Sequence, residues 1–439
     1  MGTALLTDLY ELTMASSYIR RRMTAPATFS LYVRQLPPNR GFLVVAGLEA
    51  CLEYLETLHF EEEDLAYLSS LSFPDEVLHA FASLRFSGEV WAIPEGRIVL
   101  AEEPLLEVTA PMPEAQLVET YLLNSTTFHT TVASKAARCV LAAQGRFALA
   151  DFGLRRTQGL DAGMAAARAS AMVGFDATSN VEAARRYGLT PSGTMAHSYV
   201  EAFPTEIDAF RAFATDFSGR PTFLVDTYDT LTGITRAIEV IRELGLEQAA
   251  AIRIDSGDLS SLARAARRLL DEAELPEVRI VVSGSLDEYR LAELVQNGAP
   301  VDVAAVGTRM GVSADAPYLD TVYKLVEYDG RPVAKLSAGK ATFPGAKQVF
   351  RAAGIRDTLG LRSEEPPGGS DPLLELVMSG GRRVHSTQKL EVQRQRYRTD
   401  AAELPEGAMR FEEPIAPAPG LSDTLRSLTD EVRSGDRLR

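Results

Sequence analysis

The chain has 439 residues and a mass of 47.7 kDa, with 46% hydrophobic and 24% charged residues. These values indicate a globular protein of about two or three domains. Its net charge of −15, without a long basic run, argues against a general nucleic-acid or anionic-membrane surface. Two distant cysteines without a CxxC motif argue against a disulfide framework and a zinc site, and no apolar run approaches the ~18 residues of a membrane span. A cytoplasmic enzyme is therefore the expected class.

The first 25 residues are expected to begin with a helix. Asp8 precedes the apolar face of this helix, and Glu11 follows three residues later, which is the spacing of a capping box. The same two acids stand where a secretory signal would be apolar, so no leader peptide is expected.

Residues 1–112 are predicted to form an α+β domain, because short strand-like runs mix irregularly with helical stretches. These elements are the strands Thr28–Val33, Gly88–Ala92 and Arg97–Leu100 and the helix Gly47–Leu58. A longer helix is predicted over residues 113–143, with Pro113 in its first turn, where the missing backbone N–H has no intrahelical partner to lose.

From residue 147, short apolar runs end in polar or small residues and are followed by helical stretches. The runs are Phe147–Phe152, Thr222–Val225, Ala250–Ile254, Arg279–Val282 and Val301–Val306. A polar residue or glycine follows each of the last four runs: Asp226, Asp255, Gly284 (after Ser283) and Gly307. These four residues are 29, 29 and 23 positions apart. Such runs are typical of buried parallel strands in β-α units. We therefore predict that residues 113–340 form a (β/α) barrel with its chemistry at the strand C-termini.

A doubly wound open sheet is the alternative for this region, although no GxGxxG motif opens a helix here. From about residue 325 the pattern is less regular, and residues 341–439 are expected to form a C-terminal segment packing on the N-terminal domain. A polar helix over Ser422–Arg437 is predicted to end it, with Ser422 as the N-cap. The expected fold class is thus α/β: a (β/α) barrel, an N-terminal α+β domain and a C-terminal extension.

Pairs of acids follow two neighbouring predicted strands. They lie in the segments Asp226–Asp229 and Asp255–Asp258, and each segment places two acids three residues apart. Carboxylates at strand ends suit Mg²⁺ that bridges phosphates, since this ion takes few protein ligands and keeps several waters. The alternative is helix capping, in which an aspartate accepts from free N–H groups. No metal ligand is assigned from the sequence.

Glycine and hydroxyl residues follow the last two regular strands, in Ser283–Ser285 and Gly307–Gly311. Such turns leave backbone N–H groups open to an anion, and late barrel loops commonly hold phosphate. Four of the six lysines also cluster within 24 residues of a chain with 39 arginines: Lys324, Lys335, Lys340 and Lys347. Drift of a surface segment is one interpretation, and a compact ammonium in contact with ATP or phosphate is the interpretation we favour.

His197 and the segment Asp151–Arg156 are the remaining candidates for chemistry. His197 is surrounded by small and hydroxyl residues at a predicted strand end, although a lone histidine is more often a packed or surface residue. The segment Asp151–Arg156 places Phe152 close to two guanidiniums, including that of Arg155. An aromatic ring and an arginine can stack a flat ring and clamp an anion, and an ordinary strand exit is the alternative.

Nine short segments follow one another between residues 5 and 350. They are Thr7–Met14, Phe152–Arg156, Gly174–Asn180, Gly193–Ser198, Asp226–Asp229, Arg253–Asp258, Gly307–Arg309, Tyr323–Leu325 and Pro344–Lys347. Together they resemble the nicotinate phosphoribosyltransferase family. Each segment alone is a weak signal, but nine in family order are highly specific.

The resemblance implies an N-terminal α/β domain packed on the irregular barrel of type II phosphoribosyltransferases, and a homodimer with active sites at the subunit interface. It implies an enzyme of NAD salvage that forms nicotinate mononucleotide from nicotinate and phosphoribosyl pyrophosphate. The family couples this reaction to ATP hydrolysis, with Mg²⁺, through a phosphorylated histidine that matches His197 here.

The resemblance also assigns residues. Tyr10, Thr194 and Arg253 would contact nicotinate, and Thr308 would contact phosphoribosyl pyrophosphate. In the related nicotinamide enzyme, a phenylalanine and a tyrosine of the partner subunit sandwich the pyridine ring. The matching residues of this chain are Phe152 and the partner subunit's Tyr10.

Chemical reasoning extends this assignment. Arg155 and the turns at Gly284 and Gly307 would stabilise the departing pyrophosphate, together with Mg²⁺ near Asp226 and Asp255. We further expect Asp226 to orient His197.

Substrate choice has one clue in the sequence. The nicotinamide enzyme has an acid where this chain has Ser179, and an acid would repel the carboxylate of nicotinate. The hydroxyls of Thr178 and Ser179 can instead donate to that carboxylate.

Several rival functions stay open at this point. Nicotinamide and quinolinate phosphoribosyltransferases are the nearest, and a sugar-phosphate barrel aldolase or isomerase and a non-catalytic metabolite sensor belong to other classes. No lysine lies between Lys135 and Lys324, so the core strands lack a residue for Schiff-base chemistry.

Overall fold

Two units, each with its own seven-stranded sheet, make up the chain. The computed structural model describes residues 4–337 and 342–435. The terminal unit comprises the described residues of Met1–Ser134 and Tyr318–Arg439, and the central unit comprises Lys135–Pro317. These limits differ from the three predicted domains, whose boundaries fall after residues 112 and 340.

The helices are α1 Leu9–Arg20, α2 Leu48–Thr57, α3 Glu62–Ser70, α4 Asp75–Ser83, α5 Met112–Leu117, α6 Glu119–Ala143, α7 Leu160–Val173, α8 Val181–Tyr187, α9 His197–Glu201, α10 Glu206–Asp216, α11 Thr230–Leu244, α12 Leu259–Glu272, α13 Glu288–Gln296, α14 Thr308–Gly311, α15 Leu390–Ala402 and α16 Asp423–Ser434. Two 3₁₀ turns cover Leu154–Arg156 and Glu406–Met409. Among the described residues, no helix is long and apolar enough to cross a membrane.

The strands are β1 Pro26–Val33, β2 Leu43–Val44, β3 Glu89–Ala92, β4 Ile98–Val99, β5 Pro104–Pro111, β6 Ala148–Asp151, β7 Ala177–Thr178, β8 Thr190–Pro191, β9 Thr222–Leu224, β10 Ala251–Ile254, β11 Arg279–Val282, β12 Val303–Val306, β13 Thr321–Tyr328, β14 Arg331–Pro332, β15 Lys347–Ala352, β16 Arg356–Leu361, β17 Ser370–Pro372, β18 Glu375–Ser379, β19 Arg382–Arg383 and β20 Gly420–Leu421. The strands and helices predicted from the sequence are confirmed to within a few residues at their ends.

The terminal unit is built on an antiparallel sheet in the order β14-β13-β1-β5-β3-β18-β19. β1 pairs with β5 on one side and with β13 on the other, and the rings of Phe29 and Tyr323 stack with centroids 4.7 Å apart. The expectation of an irregular chain from about residue 325 is wrong here, because β13 is an interior strand of this sheet. Its pairing with β1 spans some three hundred residues, which no local pattern reveals.

The first helix begins directly after Asp8, as predicted, but the capping box does not form. Asp8 makes no side-chain cap bond, and its carboxylate accepts from Thr120 Oγ1 at 2.9 Å. The buried Glu11 carboxylate accepts from the hydroxyls of Thr7 at 2.5 Å and Thr120 at 2.7 Å. Tertiary hydroxyl partners therefore replace the local reciprocal bonds.

The long predicted helix is interrupted at Val118, which separates α5 from α6, and Pro113 lies in the first turn as predicted. In the C-terminal part, a four-stranded sheet has the order β17-β15-β16-β20. Ser422 caps α16, since its Oγ accepts from the backbone N–H of Leu425 at 3.1 Å.

The central unit carries a parallel sheet in the order β8-β7-β6-β12-β11-β10-β9. Neighbours follow one another in the chain except that β6 pairs with β12, as the first and last strands of a barrel do. In a doubly wound sheet the second series of strands would run outward from β6 in the opposite order.

Within the described pairing no ladder joins β8 to β9, so this sheet is a half-barrel. The prediction of parallel strands in barrel order is confirmed, and closure into a full barrel is not observed.

Candidate active site

The carboxyl-terminal edge of the parallel sheet collects most of the predicted site residues. The register places Asp151 opposite both Thr178 and Val306, and Ile254 opposite Val282. Because parallel strands end at the same edge, the loops that follow them are neighbours. The predicted residues on these loops are Phe152, Ser179, Asp226, Asp255, Gly284, Gly307 and Thr308.

His197 is the first residue of α9, and its imidazole is hydrogen-bonded at Nδ1 and faces a carboxylate at Nε2. Its Nδ1 lies 3.1 Å from Thr227 Oγ1, and its Nε2 lies 3.9 Å from Asp255 Oδ2. The side chain is nevertheless 41% exposed. The imidazole is thus oriented by a hydroxyl and a carboxylate while one side of the ring stays accessible.

Asp226 does not orient His197, so that expectation is wrong. Its Oδ2 accepts from the backbone N–H of Asp255 at 2.9 Å and from Ser256 Oγ at 2.7 Å. Its Oδ1 is buried and has no hydrogen-bond partner among the described residues. Asp226 therefore holds the loop after β10, and the carboxylate that faces the imidazole is Asp255.

The second acid of each predicted pair is a helix cap. Asp229 Oδ1 accepts from the backbone N–H of Thr232 at 2.9 Å, and Asp258 Oδ1 accepts from that of Ser261 at 3.2 Å. Hydrogen bonds from the side chains of Thr232 and Ser261 lower the pKa of these two carboxyls below their ordinary values. The capping alternative is thus confirmed for Asp229 and Asp258.

Arg253 joins four residues of the site. Its Nε donates to Ser283 Oγ at 2.7 Å, one terminal nitrogen to Thr194 Oγ1 at 2.8 Å, and the other to Asp255 Oδ1 at 2.6 Å. The guanidinium carbon lies 5.5 Å from the centroid of the Phe152 ring, a cation–π distance. Arg253 and Thr194, both expected to contact nicotinate, are therefore bonded to each other in this structure.

The Asp255 carboxylate is kept ionised by its neighbours. Partial burial raises its pKa, but hydrogen bonds from Ser283 and Arg253 and the charge of Arg253 outweigh burial, so the pKa lies below its ordinary value. A carboxylate that stays charged next to His197 stabilises a cationic imidazole.

Two glycines in the late loops lie against backbone. Gly284 has φ +96°, and a Cβ there would lie 1.8 Å from the carbonyl oxygen of Asp255. A Cβ on Gly307 would lie 2.9 Å from the carbonyl oxygen of Phe152. Only glycine fits position 284, because both its backbone conformation and its surroundings reject a side chain.

An ion pair missed by the sequence analysis joins the two late loops. Arg309 donates to Asp287 Oδ2 at 2.5 Å, and Asp287 also caps α13. Thr308, the first residue of α14, is exposed beside this pair. The sequence shows a charged residue, Arg309, in the Gly307–Arg309 segment, but it does not show the partner, because Asp287 is more than 20 residues away.

Two side chains at this edge have polar atoms without partners among the described residues. The Arg155 guanidinium is exposed on the 3₁₀ turn Leu154–Arg156 and makes no hydrogen bond. The half-buried Ser179 likewise leaves its hydroxyl unbonded. The Thr178 hydroxyl, in contrast, donates to Asp151 Oδ2 at 2.8 Å, so the expectation that Thr178 donates to substrate is wrong.

Tyr10 lies on α1 in the terminal unit and is 47% exposed. Burial of part of the ring and the nearby carboxylates of Glu119 and Glu11 raise the pKa of its hydroxyl, which is therefore protonated at neutral pH. Its predicted role opposite Phe152 stays a prediction.

The lysine cluster also lies in the terminal unit. Lys347 is buried, and its ammonium donates to the carbonyl oxygen of Gly345 at 2.8 Å and lies 3.3 Å from Glu107 Oε1. A phosphate contact is therefore wrong for Lys347, because protein oxygens already surround the charge. Lys324 Nζ donates to the carbonyl oxygen of its neighbour Tyr323. Lys340 lies outside the described residues.

A cavity of about 1010 Å³ in the terminal unit contains none of the predicted site residues. Trp91, Leu361 and Leu428 are among its lining residues, with Arg362 over the indole ring. This cavity is therefore not the candidate active site, because catalysis requires positioned charges, and these lie at the edge of the parallel sheet.

Comparison with known proteins identifies the family. Residues 5–127 match the nicotinate phosphoribosyltransferase (NAPRTase) N-terminal domain, and residues 147–353 match the nicotinate phosphoribosyltransferase (NAPRTase) family. The chain belongs to this family. The resemblance drawn from the nine segments is therefore confirmed.

Relatives from bacteria and mammals agree. Nicotinate phosphoribosyltransferase pncB2 of Mycobacterium tuberculosis is 48% identical over 387 residues, covering 87% of this chain and 83% of that protein. The Bacillus subtilis nicotinate phosphoribosyltransferase is 43% identical, covering 79% and 73%. The crystal structure of human nicotinic acid phosphoribosyltransferase superposes with a TM-score of 0.86 at 30% identity, covering 98% of this chain and all of that one.

A nicotinate-nucleotide pyrophosphorylase from Pyrococcus furiosus has a TM-score of 0.76 at 24% identity, covering 91% and 95%. This likeness shows a shared fold.

Proposed function

We propose that this nicotinate phosphoribosyltransferase forms nicotinate mononucleotide for NAD salvage and couples the transfer to ATP hydrolysis through a phosphohistidine at His197. The observation that carries the proposal is the accessible imidazole of His197, held between Thr227 and Asp255 at the edge of the parallel sheet. An oriented, accessible imidazole is a competent phosphoryl acceptor.

The transfer step needs positioning and charge stabilisation. The pyridine nitrogen of nicotinate attacks the anomeric carbon of phosphoribosyl pyrophosphate, the bond from that carbon to the pyrophosphate oxygen breaks, and pyrophosphate leaves with the electron pair. The free guanidinium of Arg155 and the turns at Gly284, Gly307 and Thr308 are suited to binding the departing anion. Stacking of the pyridine on Phe152, and on the partner subunit's Tyr10 in a homodimer, would align the attack.

The phosphorylation step uses the two nitrogens of His197 differently. With the ring proton on Nδ1, which donates to Thr227 Oγ1, Nε2 carries the free lone pair, since Asp255 Oδ2 at 3.9 Å is beyond hydrogen-bond distance. Nε2 attacks the terminal phosphorus of ATP, the bond to the ADP oxygen breaks, and ADP leaves with the electron pair. The imidazole becomes cationic as that bond forms, and Asp255, at 3.9 Å, stabilises the positive charge.

The residues at this edge fit Mg²⁺. No group of three or more His, Cys, Asp or Glu within residues 4–337 and 342–435 is arranged to hold a metal alone. Mg²⁺ needs only one or two carboxylates when substrate phosphates complete its shell. Asp226, with its buried and unpartnered Oδ1, and Asp255 would hold it, and the ion would neutralise phosphate charge.

Substrate selection rests on Ser179. Its hydroxyl has no partner among the described residues and can donate to the carboxylate of nicotinate. The amide of nicotinamide brings an additional donor, which is satisfied less well here. This supports nicotinate over nicotinamide, and quinolinate would require more basic groups than Arg155 and Arg253 for its two carboxylates.

Nicotinate mononucleotide formation tests the proposal, measured with nicotinate, phosphoribosyl pyrophosphate and Mg²⁺, with and without ATP. Stimulation by ATP in the native protein should disappear in His197→Ala. His79→Ala is the matched control, because His79 is an exposed histidine of the terminal unit whose Nδ1 bonds only the carbonyl of Asp75. Product without any ATP effect would contradict the phosphohistidine, and no product under any condition would contradict the transferase.

A further inference from the structure

Asp151 is a buried carboxylate that the proposed mechanism does not use. It ends β6 and is fully buried, and no lysine, arginine or histidine pairs with it among the described residues. Burial raises its pKa above the ordinary value, although two hydrogen bonds act in the opposite direction. An unpaired buried carboxyl is costly unless it makes specific hydrogen bonds.

The hydrogen bonds of Asp151 join two neighbouring strand ends. Oδ1 accepts from the backbone N–H of Gly153 at 2.8 Å, and Oδ2 accepts from Thr178 Oγ1 at 2.8 Å. Its carbonyl oxygen accepts from the N–H of Ser179 at 2.7 Å. The turn held at Gly153 carries Phe152, and the strand end held at Thr178 continues into Ser179.

We infer that Asp151 is a positioning residue for nicotinate, which fixes the Phe152 ring and the Ser179 hydroxyl relative to each other. This inference rests on the proposed function of those two residues. Because the Thr178 hydroxyl donates its hydrogen bond to Asp151, Ser179 is the only hydroxyl of the pair that can donate to the substrate.

The side chain at position 151 must accept two hydrogen bonds, one at each oxygen, and a carboxylate can do this. Both Gly153 N–H and Thr178 O–H are donors, and Thr178 Oγ1 already accepts from the N–H of Asn180 at 3.1 Å. Asparagine has one acceptor, so its NH₂ would face either the N–H of Gly153 or the hydroxyl of Thr178. If the amide oxygen keeps the Gly153 bond, the NH₂ donates to the second lone pair of Thr178 Oγ1, which reverses that bond and releases the Thr178 O–H; in the other orientation the NH₂ meets the N–H of Gly153 and that bond is lost.

Steady-state kinetics with nicotinate separate this role from a merely structural one. Asp151→Asn should raise KM for nicotinate about tenfold, the loss expected for a charge-assisted hydrogen bond, while kcat changes little. A purely structural defect would lower the active fraction, and with it kcat, without moving KM.

Thr178→Val and Thr178→Ser form a second pair that does not depend on the folding of the Asp151 variant. The valine variant should reproduce the rise in KM, and the serine variant, which keeps the hydroxyl, should restore it. Asp176→Asn is the matched control and should leave KM unchanged, since the exposed Asp176 carboxylate accepts, among the described residues, only from the N–H of Leu149 at 3.0 Å.

The outcomes distinguish the two proposals. An active native enzyme whose Asp151→Asn and Thr178→Val variants keep the native KM for nicotinate overturns the positioning role alone. A native protein that makes no nicotinate mononucleotide overturns the proposed function, and the positioning role with it.

Discussion

Two arginines, one in each unit, are bonded in similar ways but differ in what surrounds them. In the terminal unit, Arg351 donates to Asp357 at 2.9 Å, to Asp400 at 3.0 Å and to the carbonyl of Ile98 at 2.8 Å. In the central unit, Arg253 donates to Ser283, Thr194 and Asp255. All nitrogens of both guanidiniums are bonded, so bonding alone does not separate a structural arginine from a functional one.

The neighbours make the distinction. At the same strand edge as Arg253, the Oδ1 atom of Asp226, the exposed guanidinium of Arg155 and the half-buried hydroxyl of Ser179 have no partners among the described residues. Near Arg351, Glu103 Oε1 also lacks a partner, but Glu103 is fully buried, so no ligand reaches it. Accessible polar groups that converge on one edge can take their partners from a ligand.

Replacing each arginine by lysine should have the largest effects, and the two variants should lose different properties. A single ammonium cannot replace a three-way guanidinium. Arg253→Lys should lower kcat/KM roughly a hundredfold, in the range found for lost transition-state donors. Arg351→Lys should instead lower the free energy of unfolding by about 3 kcal/mol, because buried Asp357 and Asp400 lose partners.

Steady-state kinetics and urea denaturation of both variants measure this difference. Native kinetics for Arg253→Lys, combined with a loss of stability equal to that of Arg351→Lys, would remove the distinction between the two units.

Ser179→Asp tests whether residue 179 selects nicotinate over nicotinamide. A carboxylate at 179 repels the carboxylate of nicotinate, and we expect kcat/KM for nicotinate to fall at least tenfold relative to nicotinamide, on the order of one lost hydrogen bond. Ser179→Ala is the control, which removes the hydroxyl without adding charge. The same proportional loss with both substrates would show that the position does not select between them.

The last expected effect concerns stability alone, through pH and the terminal unit. Burial raises the pKa of Glu11 from 4.5 to about 6, so the folded state binds this proton more tightly than the unfolded state. The associated stability is present below pH 4.5 and is lost as pH rises through about 6, which amounts to about 2 kcal/mol for a shift of this size.

The unfolding free energy of the native protein, measured relative to that of Glu11→Gln at pH 4, 5, 6 and 7, should fall by about 2 kcal/mol across this range. A slope of the same size in the variant would assign the effect to another group.

Local patterns in the sequence determined much of this protein. The short buried strands, their spacing and the polar residues after them predicted a parallel sheet with its site at the strand ends, because strand period and turn chemistry are local properties. The nine segments predicted the family, and Ser422 predicted the start of α16. Asp226 and Asp255 were predicted to follow strand ends, and they do so in the structure.

Only the tertiary structure decided which partners these residues have. The imidazole of His197 faces Asp255 rather than Asp226, Thr178 donates to Asp151 rather than to substrate, and Lys347 is enclosed by Glu107 and backbone carbonyls. Likewise β13 joins β1, and Thr120 replaces the capping box at Asp8 and Glu11. In each case the deciding contact joins residues about 25 to 300 positions apart, and such contacts depend on how the elements pack, which sequence periodicity does not encode.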